Sequence, residues 1–169
     1  MKKVLMVIAP NNFRDEEFLR PKEVFEKNGA QVTVASKGVS EASGMLGAKT
    51  KVDIDVAAVN VADYDALVFV GGTGAAVYFD DQTILSLTKV ADEQNKIIGA
   101  ICISPSILAN AGILKGKRAT AWPSEQGNLE SKDAVYTGAN VEVDGRIVTA
   151  KGPEAAIAYG EKITELLVK

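Results

Sequence analysis

The sequence predicts an α/β sandwich built on a mostly parallel sheet. Four short apolar runs, Lys3 to Ala9, Gln31 to Ser36, Ala66 to Val70 and Lys96 to Cys102, read as buried strands. Helical patterns separate most of them, and that alternation is the mark of parallel strands joined by crossovers. The chain has 169 residues, 47% of them hydrophobic and 24% charged, which suits one core and a single domain over residues 1–169.

The elements follow in order. The first strand leads into a loop and then a helix from about Asp15 to Asn28, closed by Gly29 as a C-cap. Val52-Asp53-Ile54-Asp55-Val56 alternates cleanly and is expected in an added edge hairpin. A second helix covers about Asp81 to Gln94, with Ile84, Leu87 and Ala91 on one face. A third runs from Ser104 to Ala111, with Ser104 as N-cap, Pro105 in the first turn and Gly112 beyond the end. Val141-Glu142-Val143 and Arg146-Ile147-Val148 flank Asp144-Gly145, a type I′ hairpin signal. The last helix starts at Pro153 and places Ala156, Gly160, Ile163 and Leu167 on one face.

Composition excludes several functions. The net charge of −3 argues against nucleic acid as the main partner. No apolar run is long enough to span a membrane, so no membrane role is expected. Met1-Lys2-Lys3 before an apolar run imitates a signal peptide, but the run is short and Asp15-Glu16-Glu17 soon follows. A cytoplasmic location is expected, where the single cysteine stays a thiol. There is no histidine, which removes Ser-His and Cys-His mechanisms and histidine metal sites. No metal and no cofactor is expected.

Ligands of open α/β sheets bind beyond the carboxyl ends of the strands. Three strand ends should therefore converge: the acidic loop through Glu17, Gly71-Gly72-Thr73-Gly74, and Cys102. Cys102 lies two residues before the Ser104 cap, in a strand-to-helix turn resembling a nucleophile elbow. The bland alternative is a buried, inert thiol; the helix start favours a reactive one with a lowered pKa. Asp15 and Glu16 read as acids that simply favour a helix N-terminus. Glu17 differs: its carbonyl faces Pro21, which has no N–H to give, and it is the candidate acid/base.

Gly71-Gly72 reads either as a tight turn or as amides facing a developing oxyanion. A dinucleotide site is disfavoured because Val77 replaces the third glycine, and an FMN site because the first loop is acidic. Trp122 reads first as core and second, with Gly71, as a candidate pocket wall. Lys151 reads as a solvated charge, with approach to an anionic substrate as the minor alternative.

These residues resemble the ThiJ/PfpI superfamily, which includes the parkinsonism-associated deglycase and the PfpI-type intracellular proteases. The similarity spans nearly the whole chain. It is carried by Glu17 four residues before Pro21, by Asp65-Ala66-Leu67-Val68-Phe69-Val70-Gly71-Gly72, by Ala100-Ile101-Cys102-Ile103-Ser104-Pro105, by Ala111 through Gly116, and by Gly152-Pro153. The resemblance implies a flavodoxin-like three-layer sandwich with an added antiparallel hairpin. It implies a Cys102–Glu17 pair, with the cysteine in a strained conformation. It places the backbone amides of Gly72 and Ile103 in the oxyanion pocket. It also implies a small-molecule carbonyl or glycated substrate, a glyoxalase- or deglycase-like activity without cofactor, and a homodimer or larger homo-oligomer. A redox-responsive stress protein, with the cysteine oxidised to sulfinate, is the alternative. Two departures matter. Ile103 stands where protease-like members carry histidine, which disfavours a peptidase. Trp122-Pro123 stands where several deglycase-like members have a histidine before the proline.

Overall fold

The computed structural model describes all residues, Met1–Lys169. In chain order the strands and helices are β1 (Lys3–Val7), β2 (Asn11–Phe13), α1 (Asp15–Lys27), β3 (Gln31–Ser36), β4 (Glu41–Gly44), β5 (Lys49–Lys51) and β6 (Ile54–Asp55). Then come β7 (Ala66–Phe69), α2 (Gln82–Glu93), β8 (Ile97–Ile101), α3 (Pro105–Asn110), β9 (Arg118–Ala119), α4 (Gln126–Ser131) and β10 (Val135–Tyr136). The chain ends with β11 (Val141–Asp144), β12 (Ile147–Ala150) and α5 (Ala156–Leu167).

The main sheet runs β11-β12-β8-β7-β1-β3-β6, parallel throughout except for edge strand β11. Its five central parallel strands give the flavodoxin-like order. All of β7, β8 and β12 is buried, as is β1 after Lys3, so these strands read as continuous apolar runs. The β1-to-β3 and β7-to-β8 crossovers move in opposite directions from the centre. Right-handed connections therefore put α1 and α2 on opposite faces. Helix α5 returns to pack on α1, and α3 packs beside α2. A Cβ on Gly160 would lie 3.0 Å from the Cα of Pro21, so the missing side chain lets α5 approach α1 there. Pro21 stays inside α1, which is assigned as one helix through Lys27.

Several expected elements are corrected. Residues 52–56 form no hairpin; β6 lies parallel to β3 at the sheet edge. Their acidic side chains bind backbone amides while the residues themselves stay exposed. Asp53 accepts the Val34 amide at 2.9 Å, and Asp55 accepts those of Ala57 at 2.9 Å and Gly38 at 2.8 Å. Antiparallel hairpins occur instead at β4–β5 and at β11–β12. The β11–β12 turn is shifted by one residue from expectation. Asp144 pairs with Ile147, so Gly145 and Arg146 are central, and only Gly145 has positive φ. That is the type II′ pattern rather than type I′. No helix is long and apolar enough to cross a membrane.

Candidate active site

The site forms where β1, β7 and β8 end, at the switch in strand order. The loop after β1 packs directly on the loop after β7, and Arg14 N donates to Gly71 O at 2.9 Å. Two glycines permit this approach. A Cβ on Gly71 would stand 2.6 Å from both Cys102 Cβ and Ile101 O, and would also collide with the Glu17 carboxyl. Gly72 has φ +96°, and a Cβ there would meet the backbone of residues 12–14. Gly71 is thus a spacer between Glu17 and Cys102, buried below the cavity, and not the wall residue expected.

Cys102 adopts φ +65°, left-handed backbone that costs a non-glycine residue roughly 1–2 kcal/mol. The surroundings hold it there. Cys102 N donates to Ala150 O at 3.0 Å, and Cys102 O accepts from Trp122 N at 2.8 Å. Ser104 does not cap α3, as its spacing suggested. Its backbone is already helical, so its hydroxyl turns back to accept from Ile101 N and donate to Ile101 O, both at 2.8 Å. The serine closes the elbow around the cysteine instead of starting the helix.

Glu17 is completely buried, and neither carboxyl oxygen has a partner with full hydrogen-bond geometry. Burial pushes its pKa from 4.5 up to about 8. The Cys102 thiol, the Arg14 charge and the Gly71 amide pull the other way and do not win. The carboxyl therefore holds its proton at neutral pH. The Cys102 thiol is also pushed up, to about 12, by burial and then by the Glu17 charge. Hydrogen bonds from the Gly72 and Ile103 amides oppose that rise. The expected lowering by a helix start is not met, because α3 has only six residues and burial outweighs its dipole. While Glu17 is protonated, its repulsion of the thiolate is absent. The two groups thus titrate as a pair, whose first proton leaves near pH 8.

Cys102, Glu17, Gly72, Ile103 and Trp122 share a cavity of about 260 Å³ with Arg14, Met45, Thr73 and Pro153. Trp122 is a wall residue, not core: it is 46% exposed and packs over Gly152, where a Cβ would lie 2.9 Å from the ring. Residues not singled out by sequence complete the site. Arg14 binds Glu16 at 2.9 Å and projects beside the pair. Met45 arrives from the β4–β5 turn, which Asp15 anchors. That carboxylate is buried and accepts Leu46 N at 2.9 Å and Ala48 N at 2.8 Å. Asp15 is therefore a loop anchor and more than a helix-start acid. The run of three acids was the available signal; which carboxylate binds what depends on a turn thirty residues away.

The DJ-1/PfpI family profile matches residues 2–166. An uncharacterized Methanocaldococcus jannaschii protein, MJ0967, is 45% identical over 99% of this chain and 83% of its own length. Deglycase PH1704 of Pyrococcus horikoshii is 30% identical over 98% of this chain and 99% of its own. YraA of Bacillus subtilis, whose name calls it a cysteine protease, is 30% identical over 99% of each chain. The crystal structure of a ThiJ/PfpI domain protein from Brachyspira murdochii superimposes with a TM-score of 0.96 at 32% identity, covering 98% of this chain and 96% of that one. With its sheet order, its cysteine elbow and a profile match over nearly its full length, the chain belongs to the DJ-1/PfpI family.

Proposed function

We propose that this protein is a cysteine-dependent enzyme acting on reactive carbonyl compounds or their glycated adducts. The observation that carries the reading is the placement of one sulfur. Cys102 sits in a left-handed elbow, between two backbone amides and a buried carboxyl whose pKa lies near working pH. Deglycase-named relatives at about 30% identity support it.

For a 2-oxoaldehyde, the reacting form is the one in which the pair has lost its first proton, near pH 8: the Cys102 sulfur bonds to the aldehyde carbon as the thiol proton passes to the Glu17 carboxylate. The carbonyl π electrons move to oxygen, which the Gly72 and Ile103 amides hold until Glu17 passes it the thiol's proton and is a carboxylate again. Glu17 then takes the proton from that carbon and returns one to the neighbouring carbon. The first carbon is oxidised and the second reduced, giving a thioester of a 2-hydroxy acid. Water cleaves the thioester and restores the thiol. Conversion of methylglyoxal to lactate, by wild type and by Cys102→Ala, tests the proposal. Turnover should vanish in the variant; equal turnover overturns it.

One observation favours a second reading, as a redox-responsive protein. Protonated Glu17 lies beside the chain's single cysteine, so no second thiol within the chain can resolve a sulfenate. Peroxide should deliver two oxygens to Cys102, each step releasing water, and the Glu17 O–H should hold one sulfinate oxygen. Peptide mass mapping after graded peroxide tests this. Glu17→Leu should pass on to three oxygens or resist oxidation, and identical oxidation of both proteins removes the reading.

A further inference from the structure

Beside the cysteine cavity opens a second, larger one of about 570 Å³. The two share Arg14, Trp122 and Pro153, so a molecule seated at Cys102 can extend from one into the other past the indole. The second cavity is lined by Arg14, Arg20 and Lys151 against Glu16 and Glu154. Its positive excess runs against a chain whose net charge is −3.

The pairing within this lining decides what it can bind. Glu16 is committed to Arg14 at 2.9 Å, which leaves that pair neutral. The salt bridges of the chain use neither Arg20 nor Lys151. Arg20 has a single long contact, Nη1 to Pro153 O at 3.4 Å, and a guanidinium offers five N–H donors. Lys151 is only partly exposed; its backbone N donates to Asn140 O at 2.9 Å, while its ammonium has no hydrogen-bond partner. Two unpaired cations with different donor geometries thus face a concave space next to a reactive thiol. Glu154, exposed on the turn after Gly152, is the one carboxylate of the lining without a partner.

We infer that this cavity is an anion subsite, in which Arg20 and Lys151 hold a carboxylate or phosphate on the half of the substrate remote from its carbonyl carbon. The inference deepens the carbonyl-adduct reading of Cys102 by naming the substrate class: adducts of small anionic metabolites rather than neutral ones. Arg20 and Lys151 are positioning residues, and no bond changes at them. Cations in such a cleft attract the anion and orient it, with the indole as the wall between the two chambers.

Trp122 is the only tryptophan and lines both cavities, so its fluorescence reports occupancy without turnover. The experiment titrates the Cys102→Ala protein with N-acetylcysteine, with its neutral carboxamide and with inorganic phosphate. The acid and phosphate should give saturable changes, the tighter of the two naming the oxyanion, and the carboxamide should bind about fivefold or more weakly. Adding Arg20→Gln and Lys151→Met should weaken the anions by a similar factor, while Glu154→Gln should tighten them. The inference is overturned if acid and carboxamide titrate alike, if the charge-removed protein binds anions unchanged, or if no probe saturates. A wild type that turns over no carbonyl adduct but shows the anion pattern refutes the enzyme reading alone. Turnover equal for acid and carboxamide adducts refutes the subsite alone.

Discussion

Replacing Glu17 by Gln should stabilise the protein, and by an amount that grows with pH. The carboxyl has an ordinary value of 4.5 and sits near 8 in the fold. Between those values the folded state holds a proton that the unfolded state has lost, so unfolding gains from each rise in pH. Wild-type stability is therefore greatest below about pH 4.5 with respect to this group, falls through the window and levels off above about 8. The slope is ~1.36 kcal/mol per pH unit, and pH 7 lies about 2.5 units into the window, which gives ~3 kcal/mol. Gln has nearly the same size and its oxygen can accept from the Gly71 amide. Its NH2 lies beside the Cys102 sulfur, a poor acceptor, and that costs about 1 kcal/mol. The net gain at pH 7 is ~2 kcal/mol, or about 4–8 °C in Tm for a chain of this length. Urea unfolding of both proteins from pH 5 to 8.5 measures it. The stability difference should widen steadily up to pH 8 in favour of Gln. Curves that fall in parallel refute the reasoning, since the carboxyl would then be ionised or solvated in the fold. The same variant should lose most carbonyl turnover, because Gln cannot carry a proton.

Gly71→Ala should abolish turnover and cost roughly 1–3 kcal/mol, because the new methyl would stand 2.6 Å from Cys102 Cβ and Ile101 O; a variant with normal kcat and Tm counts against the close approach. Alkylation of native Cys102 by iodoacetamide should be slow at pH 6 and rise through about pH 8 as the pair loses its first proton. A rate already at its plateau by pH 6 would show a standing thiolate and reverse the electrostatic account. Casein cleavage should be absent, since the departing amine must be protonated, the chain has no histidine to do so, and Glu17, the other proton carrier here, is enclosed beside the sulfur. Cleavage that survives repurification and disappears in Cys102→Ser contradicts this.

The parts of the fold legible in the sequence are those set by one local pattern. The β3 run Gln31 to Ser36 has the predicted bounds, and the other three central strands differ at their ends by two residues at most. Buried parallel strands announce themselves as short apolar runs, whatever lies beside them. What failed was local chemistry with two outlets. Asp53 and Asp55 alternate with apolar residues as exposed strand residues do, yet their carboxylates bind the amides of Val34, Gly38 and Ala57 and dock β6 in parallel. Ser104 has cap spacing, but its hydroxyl finds both backbone groups of Ile101 within reach first. In each case the side chain's first partner was set by how the chain turned, which spacing alone does not specify.

The site divides the same way. Cys102 and Glu17 carry a local mark at a strand end, the one its place just before Ser104-Pro105 and the other the helix rule broken by Pro21. Their ionisation was not legible. A local argument gives Cys102 a helix start and a lowered pKa. The actual balance sets that weak dipole against the burial of both groups and against a carboxyl 85 positions earlier in the chain, brought close only because Gly71 has no side chain. Burial is a property of the whole packing and has no local signature. It also makes one proton a property of two residues: with Glu17 neutral the sulfur meets two amides and an O–H donor, and with Glu17 charged it meets an anion. A carboxyl held near pH 8 can release and take up a proton close to neutral pH, as a shuttle must, and its neutral form spares the sulfur the repulsion that helps burial push the thiol to about 12.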